Sequence, residues 1–217
     1  ETGATLLHFS TDYVFDSEAT APYGEEDRCA PTTVYGRSKL EGERRLLSVA
    51  RERTAAPLRL FIVRTSWLFG EGRSSFVSTM LRLMSERETL RVVDDQFGRP
   101  TFARDMAHAA LTLIGLRPRP ERPAPAPGLY HYANSGVTTW HGFATCILEL
   151  CRSLGIPVRT TEVLPISSAE YPQPARRPKR AVLATQRIES ALGYAPRPWQ
   201  EALQEHLADL KRRRMTQ

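Results

Sequence analysis

A chain of 217 residues, 41% hydrophobic and 25% charged, can bury one core with a satellite lobe, which excludes a disordered or fibrous protein. Its apolar runs, such as residues 58–63 and 181–184, are far too short to cross a bilayer, and no N-terminal stretch joins a basic flank to an apolar run. A cytoplasmic location with no membrane partner is therefore the expectation. The net charge of +6 raises nucleic-acid binding, but the basic residues are scattered and only residues 211–214 form a run, at the end of an expected helix, so no nucleic-acid partner is expected.

In chain order, residues 5–10 form a short apolar strand that leads directly into the polar loop Ser10-Thr11-Asp12. After the breaks at Pro22, Gly24 and Pro31, residues 32–53 take a helical pattern, with Pro31 and the threonines as its start and Lys39 and Glu43 as an i,i+4 pair. Residues 58–65 are nearly continuous in hydrophobicity, as in a parallel strand covered on both faces. Strand, helix and strand make a right-handed βαβ unit whose ligands sit beyond the carboxyl ends of its strands.

Helices are expected at about 74–87, 103–115, 138–154 and 198–213, with short strands at 91–93, 129–133 and 162–164, an α+β pattern. Residues 117–127 are too proline-rich for regular structure and mark a connector. The fold class expected is α/β: the C-terminal part of a Rossmann-like doubly wound parallel sheet plus a smaller α+β substrate-binding lobe. Residues 1–115 are assigned to the remainder of the Rossmann-like domain with its catalytic helix, interleaved with the substrate lobe. Residues 116–217 are assigned mainly to the substrate-binding lobe and C-terminal helices.

The glycine-rich turn that opens a dinucleotide-binding domain occurs nowhere in the chain. Since each βαβ unit needs roughly 30 residues, the missing strands and helices imply about 80–100 residues before Glu1, and the chain alone is expected to be inactive. Cys29, Cys146 and Cys151 fit neither a zinc-ligand spacing nor a disulfide framework, and no metal-ligating residue stands out. His131 and His141 are expected to be structural.

The sharpest motif is Tyr35-Gly36-Arg37-Ser38-Lys39. Four residues on a helix return to nearly the same face about 6 Å further on, so phenol and ammonium project side by side, and a cation beside a phenol favours its ionised form. That pairing suits proton transfer. Only three of the 30 Lys and Arg residues are lysine, so a lysine retained at position 39 points to a need for a compact ammonium. With seven tyrosines in 217 residues, chance alone supplies about 0.1 such pair; the position on a crossover helix, after a hydroxyl-rich strand end, adds weight.

The segments Ser10-Thr11-Asp12-Tyr13-Val14-Phe15-Asp16, Tyr35-Gly36-Arg37-Ser38-Lys39 through Glu43, and Arg64-Thr65-Ser66-Trp67-Leu68-Phe69-Gly70 closely resemble the dTDP-4-dehydrorhamnose reductases, a branch of the extended short-chain dehydrogenases. Residues 92–101, 128–134 and 170–178 agree in the same order. The resemblance implies that Tyr35 donates a proton to the C4 carbonyl oxygen of dTDP-4-dehydro-L-rhamnose, giving dTDP-L-rhamnose. It implies that Lys39 tunes Tyr35 and grips the nicotinamide ribose, that Thr11 polarises the same oxygen, and that Thr65 lies on the cofactor side. Asp12, Trp67, Gln96 and Arg177 are the substrate-side candidates, and the cofactor implied is NADPH or NADH.

Ser17 departs from the family pattern, standing where a glycine is usual, as do Ala181 and Ala184, which replace polar residues. Another nucleotide-sugar epimerase or reductase of the superfamily, and a non-catalytic regulatory subunit on the same scaffold, stay open as alternatives. The partner expected is a dTDP-sugar, with a homodimer left open.

Overall fold

The computed structural model describes residues 4–52, 58–72, 74–117, 123–173 and 178–215. Strand β1 (Thr5–Thr11) runs into a 3-10 turn, Asp12–Val14, and helix α1 (Val34–Glu52) crosses to β2 (Arg59–Thr65). These two strands pair in parallel from Thr5 opposite Arg59 to Thr11 opposite Thr65, so both carboxyl ends meet at one edge of the sheet. Thr33 caps α1, its hydroxyl accepting from Gly36 N at 2.9 Å, as the threonines before the helix lead one to expect.

The chain continues through β3 (Leu68–Phe69), α2 (Phe76–Glu86), β4 (Thr89–Val93), β5 (Phe97–Gly98), β6 (Thr101–Phe102) and α3 (Ala103–Leu113). Then come β7 (Gly128–His131), β8 (Thr138–Thr139), α4 (Trp140–Ser153), β9 (Glu162–Ile166), α5 (Gln186–Leu192) and α6 (Trp199–Met215). The four long helices of this half lie within a few residues of their expected places. The seven-residue α5, ended by Gly193 at φ 83°, was not anticipated, because seven residues carry too little periodicity to stand out.

Strand β7 is the main difference in topology. It pairs in parallel with β2, giving the sheet order β1-β2-β7, whereas its sequence had placed it with the α+β half. At four residues it has too short an apolar run to announce a central partner, and only backbone pairing decides its place. The middle strand β2 is buried on both faces. Phe61 and Val63 pack against Met106, Ala109 and Leu113 of α3 and Ile188 and Leu192 of α5.

A second core gathers α2, β4, α4 and α6 around Val77, Met84, Phe143, Ile147 and Leu203, with Phe69 of β3 and Phe102 of β6. Here β4 pairs in parallel with β9, and β5 pairs antiparallel with β8. Both cores draw on residues either side of position 115. The proline-rich connector falls partly on residues 118–122, outside the described residues.

The expected Lys39–Glu43 helix pair is not formed. Glu43 is buried and meets Arg64 of β2 in a two-pronged ion pair, Nη2 to Oε2 at 2.7 Å and Nε to Oε1 at 3.0 Å. Lys39 Nζ instead donates to the Phe9 carbonyl oxygen at 2.6 Å. A guanidinium can satisfy both oxygens of a buried carboxylate at once, which a single ammonium cannot, and this leaves Lys39 for the strand end.

Candidate active site

The carboxyl ends of β1 and β2 and the first turns of α1 form one site. Thr11 ends β1, and its hydroxyl contacts Asp12 Oδ1 at 3.0 Å and accepts from Tyr13 N at 3.2 Å. Tyr35 stands in the first turn of α1, about half exposed, with its ring edge-on to Tyr13 at 5.6 Å. One turn further, Lys39 reaches the backbone of β1 at Phe9. Thr11, Tyr35 and Lys39 are thus gathered round a single strand end.

Gly36 is what lets helix and turn come so close. A Cβ there would lie 2.1 Å from the Tyr13 carbonyl oxygen, a distance no side chain survives. The motif's glycine is therefore a steric requirement for the packing of α1 on the turn after β1.

Asp12 is buried, and burial pushes its carboxyl up to about 7, against the opposing hydrogen bonds from Thr11 and the local backbone. With Asp12 ionised, the Thr11 hydroxyl must donate its hydrogen bond to the carboxylate. With Asp12 protonated the bond can reverse, and the Thr11 proton is free to point at a ligand oxygen.

Thr65 ends β2 opposite Thr11, and its hydroxyl is buried without a hydrogen-bond partner, as is that of Ser10. Ser10 is in register with Arg64 on the α1 face, where the Lys39 ammonium has spent one of its three donors on Phe9, and Thr65 continues the face of Phe61 and Val63. An unsatisfied hydroxyl on each face of the strand ends matches a ligand rich in hydroxyl and amide groups, as a nicotinamide riboside is. The residues present therefore fit the reduced nicotinamide that the motif implies.

Trp67, two residues beyond β2, has φ 45°, in the left-handed region. Its indole stacks on that of Trp140, centroids 3.5 Å apart and planes 7° from parallel. Gln96 is buried and is linked to this pair through Trp140: Trp140 Nε1 donates to Gln96 Oε1 at 3.1 Å, and Gln96 Nε2 donates to Ser168 Oγ at 2.8 Å. Gln96 thus has Trp140 and Ser168 as its side-chain partners and is tied to Trp67 through Trp140. Arg177 lies outside the described residues.

Arg99 and Asn134 join the two cores. Arg99 donates to the carbonyls of Asn134 at 3.0 Å and Leu183 at 2.9 Å, while Asn134 accepts from Phe102 N and donates to Asp105. Trp140 is the site residue that sequence reasoning missed. It opens a helix in an ordinary amphipathic pattern, and nothing in its spacing ties it to Trp67, 73 positions away.

His131 and His141 both have structural partners. His131 Nδ1 faces the Tyr23 carbonyl at 3.1 Å and Nε2 faces Arg64 at 3.3 Å. The carbonyl can only accept and the guanidinium only donate, so one neutral tautomer satisfies both. Among the described residues, no group of three or more His, Cys, Asp or Glu side chains could hold a metal ion, and no helix is long and apolar enough to cross a membrane.

A parallel sheet whose crossover helix carries Tyr-x-x-x-Lys beside a strand-end threonine is the scaffold of the extended short-chain dehydrogenases and reductases. Residues 1–212 match the RmlD substrate binding domain family, and the chain belongs to that family. It is 41% identical over 207 residues to the spore coat polysaccharide biosynthesis protein SpsK of Bacillus subtilis, covering 95% of this chain and 65% of that protein. It is 39% identical over 210 residues to the dTDP-4-dehydrorhamnose reductase of Escherichia coli, covering 97% and 67%. A solved Bacillus anthracis dTDP-4-dehydrorhamnose reductase in complex with NADP superposes with a TM-score of 0.80 at 34% identity, covering 95% of this chain and 66% of that one. The chain thus spans about two thirds of the length of the relatives it matches.

Proposed function

We propose that this chain carries the proton-transfer and sugar-binding machinery of a dTDP-4-dehydrorhamnose reductase, which reduces the C4 carbonyl of dTDP-4-dehydro-L-rhamnose to give dTDP-L-rhamnose. The observation that carries this reading is the gathering of Thr11, Tyr35 and Lys39 round the carboxyl end of β1, together with about 40% identity to named reductases. The β1-β2-β7 sheet is the cofactor side, and the lobe built on α2, α4 and α6 is the substrate side.

In this reading a bound reduced nicotinamide, NADPH or NADH, supplies hydride to C4. The Tyr35 phenol gives its proton to the carbonyl oxygen as that oxygen gains charge, and the proton never has to come from bulk water. Lys39, fixed on the Phe9 carbonyl, keeps a cation beside the phenolate that results and offers its remaining donors to a ribose hydroxyl. Thr11 donates to the same carbonyl oxygen when protonated Asp12 holds the other side of its hydroxyl. Thr65 offers its unpartnered hydroxyl on the cofactor side. Trp67 faces the nucleotide sugar, and Arg177 stays a candidate for its diphosphate on the resemblance alone. These groups act by alignment and charge stabilisation.

The test is direct. Full-length protein incubated with dTDP-4-dehydro-L-rhamnose and NADPH should consume nicotinamide absorbance with formation of dTDP-L-rhamnose. Tyr35→Phe should lower kcat by about 10²- to 10⁴-fold with little change in substrate binding. No turnover by the unmutated protein, or a Tyr35→Phe variant of normal rate, would overturn the reading.

A further inference from the structure

Beyond the proton-transfer cluster, two indoles are paired on the second core where it borders the end of β2. Trp67 follows the end of β2 and Trp140 is the first residue of α4, so the pair brings together residues far apart in the chain, and both pack against the second core. Their rings lie parallel at 3.5 Å, although neither is fully buried.

Each part of the surroundings restrains the Trp67 ring. Its backbone holds the left-handed φ of 45°, a conformation that persists only where neighbours enforce it. Thr101 N donates to the Trp67 carbonyl at 3.2 Å. Gly98 leaves room for the indole: a Cβ there would fall 2.4 Å from Cε2 and 2.6 Å from Nε1. The antiparallel pairing of Gly98 with Thr138 brings the residues just before α4 alongside.

Trp140 is restrained in turn. Its Nε1 donates to Gln96, whose amide also donates to Ser168, and Ser168 donates to Asp95 Oδ1 at 2.5 Å. Phe76 at the start of α2 covers another side of the Trp140 ring, centroids 4.6 Å apart. The chain of contacts runs Asp95, Ser168, Gln96, Trp140, Trp67, and its last member borders the strand end where the carbonyl would sit.

We infer that Trp140, oriented by Gln96, is a positioning residue that fixes the Trp67 ring between itself and Gly98, so that the exposed edge of the Trp67 indole is preformed for the sugar ring of a nucleotide sugar. This rests on the functional reading above and adds specificity determinants to it. Gln96 then acts through Trp140, its amide already engaged on both sides. An edge that is already ordered costs no further rotamer freedom when the sugar arrives, so the stack selects for the hexose end of the ligand and leaves the nucleotide end untouched.

The experiment measures binding as well as turnover, using full-length protein. Trp140→Ala should weaken binding of dTDP-L-rhamnose by at least about tenfold, with the affinities for dTDP alone and for NADPH nearly unchanged. Trp140→Phe should recover most of the loss. The double variant Trp67→Ala/Trp140→Ala should bind no worse than Trp67→Ala, because one contact has been removed twice. The coupled-indole circular dichroism band of the unmutated protein should vanish in either single variant.

Unchanged dTDP-L-rhamnose affinity in Trp140→Ala, while the unmutated protein binds both ligands, would overturn the positioning role of Trp140 and leave the reductase reading standing. Parallel losses for dTDP, NADPH and dTDP-L-rhamnose would also overturn it, since they mark a general structural defect. An unmutated protein that binds neither NADPH nor dTDP-L-rhamnose would bring down both readings together.

Discussion

Ser17 has φ 73°, and with Trp67 it is one of two non-glycine residues in the left-handed region among the described residues. Its hydroxyl is also buried without a hydrogen-bond partner. The Cβ clash in that region costs about 1–2 kcal/mol, and glycine returns part of this through the entropy of the unfolded chain. Ser17→Gly is expected to stabilise the protein by about 0.5–1 kcal/mol, raising Tm by roughly 1–4 °C. A calorimetric Tm that is unchanged or lower would contradict this account. The glycine that the resemblance leads one to expect at this position would thus have a backbone cause.

At the scale of elements, α1 is held in three places. Thr33 caps its start, Lys39 ties its second turn to β1, and Glu43 ties its third to β2 through the buried Arg64. Removing either member of that ion pair would leave a buried charge uncompensated. Gly36 sets the height of the helix over the turn after β1. In Gly36→Ala the new methyl meets the Tyr13 carbonyl oxygen and α1 must move, which is expected to destabilise by about 1–3 kcal/mol. The same displacement carries Tyr35 away from Thr11, so kcat should fall along with the urea midpoint. A variant of normal stability and normal kcat would show that Gly36 is not the contact that places the phenol.

For the whole molecule, two buried groups make stability depend on pH in opposite directions. Burial raises Asp12 from 3.8 to about 7, so between these values the folded state holds a proton the unfolded state has lost, and stability falls as pH rises. Burial, with Arg64 nearby, lowers His131 from 6.5 to about 3, so between these values the unfolded state binds the extra proton and stability falls as pH drops. From about pH 4 to 6.5 the two effects oppose each other, each worth at most about 1.4 kcal/mol per pH unit. Relative to the unmutated protein, Asp12→Asn should make the unfolding free energy rise more steeply with pH in that window. His131→Gln should make it fall. Denaturant titrations at pH 4, 5 and 6 would check both, and slopes indistinguishable from the unmutated protein would refute the assignment.

Much of this was legible in the sequence because it is carried by neighbours along the chain. The 3.6-residue period of the long helices, the apolar run of β2, the threonine start of α1 and the one-turn separation of Tyr35 and Lys39 are local properties, and a strand-helix-strand order admits essentially one hand of crossover. The tertiary structure alone decided what depends on residues far apart. It moved β7 into the first sheet, where backbone pairing outweighs a weak four-residue pattern. It turned Lys39 from Glu43 to Phe9, because Arg64 is the better partner for a buried carboxylate. It set Trp140 against Trp67 across 73 residues of chain. Hydrogen-bond geometry, burial and ring stacking are satisfied in space, and a one-dimensional pattern specifies them only when the partners lie within a turn or a strand of each other.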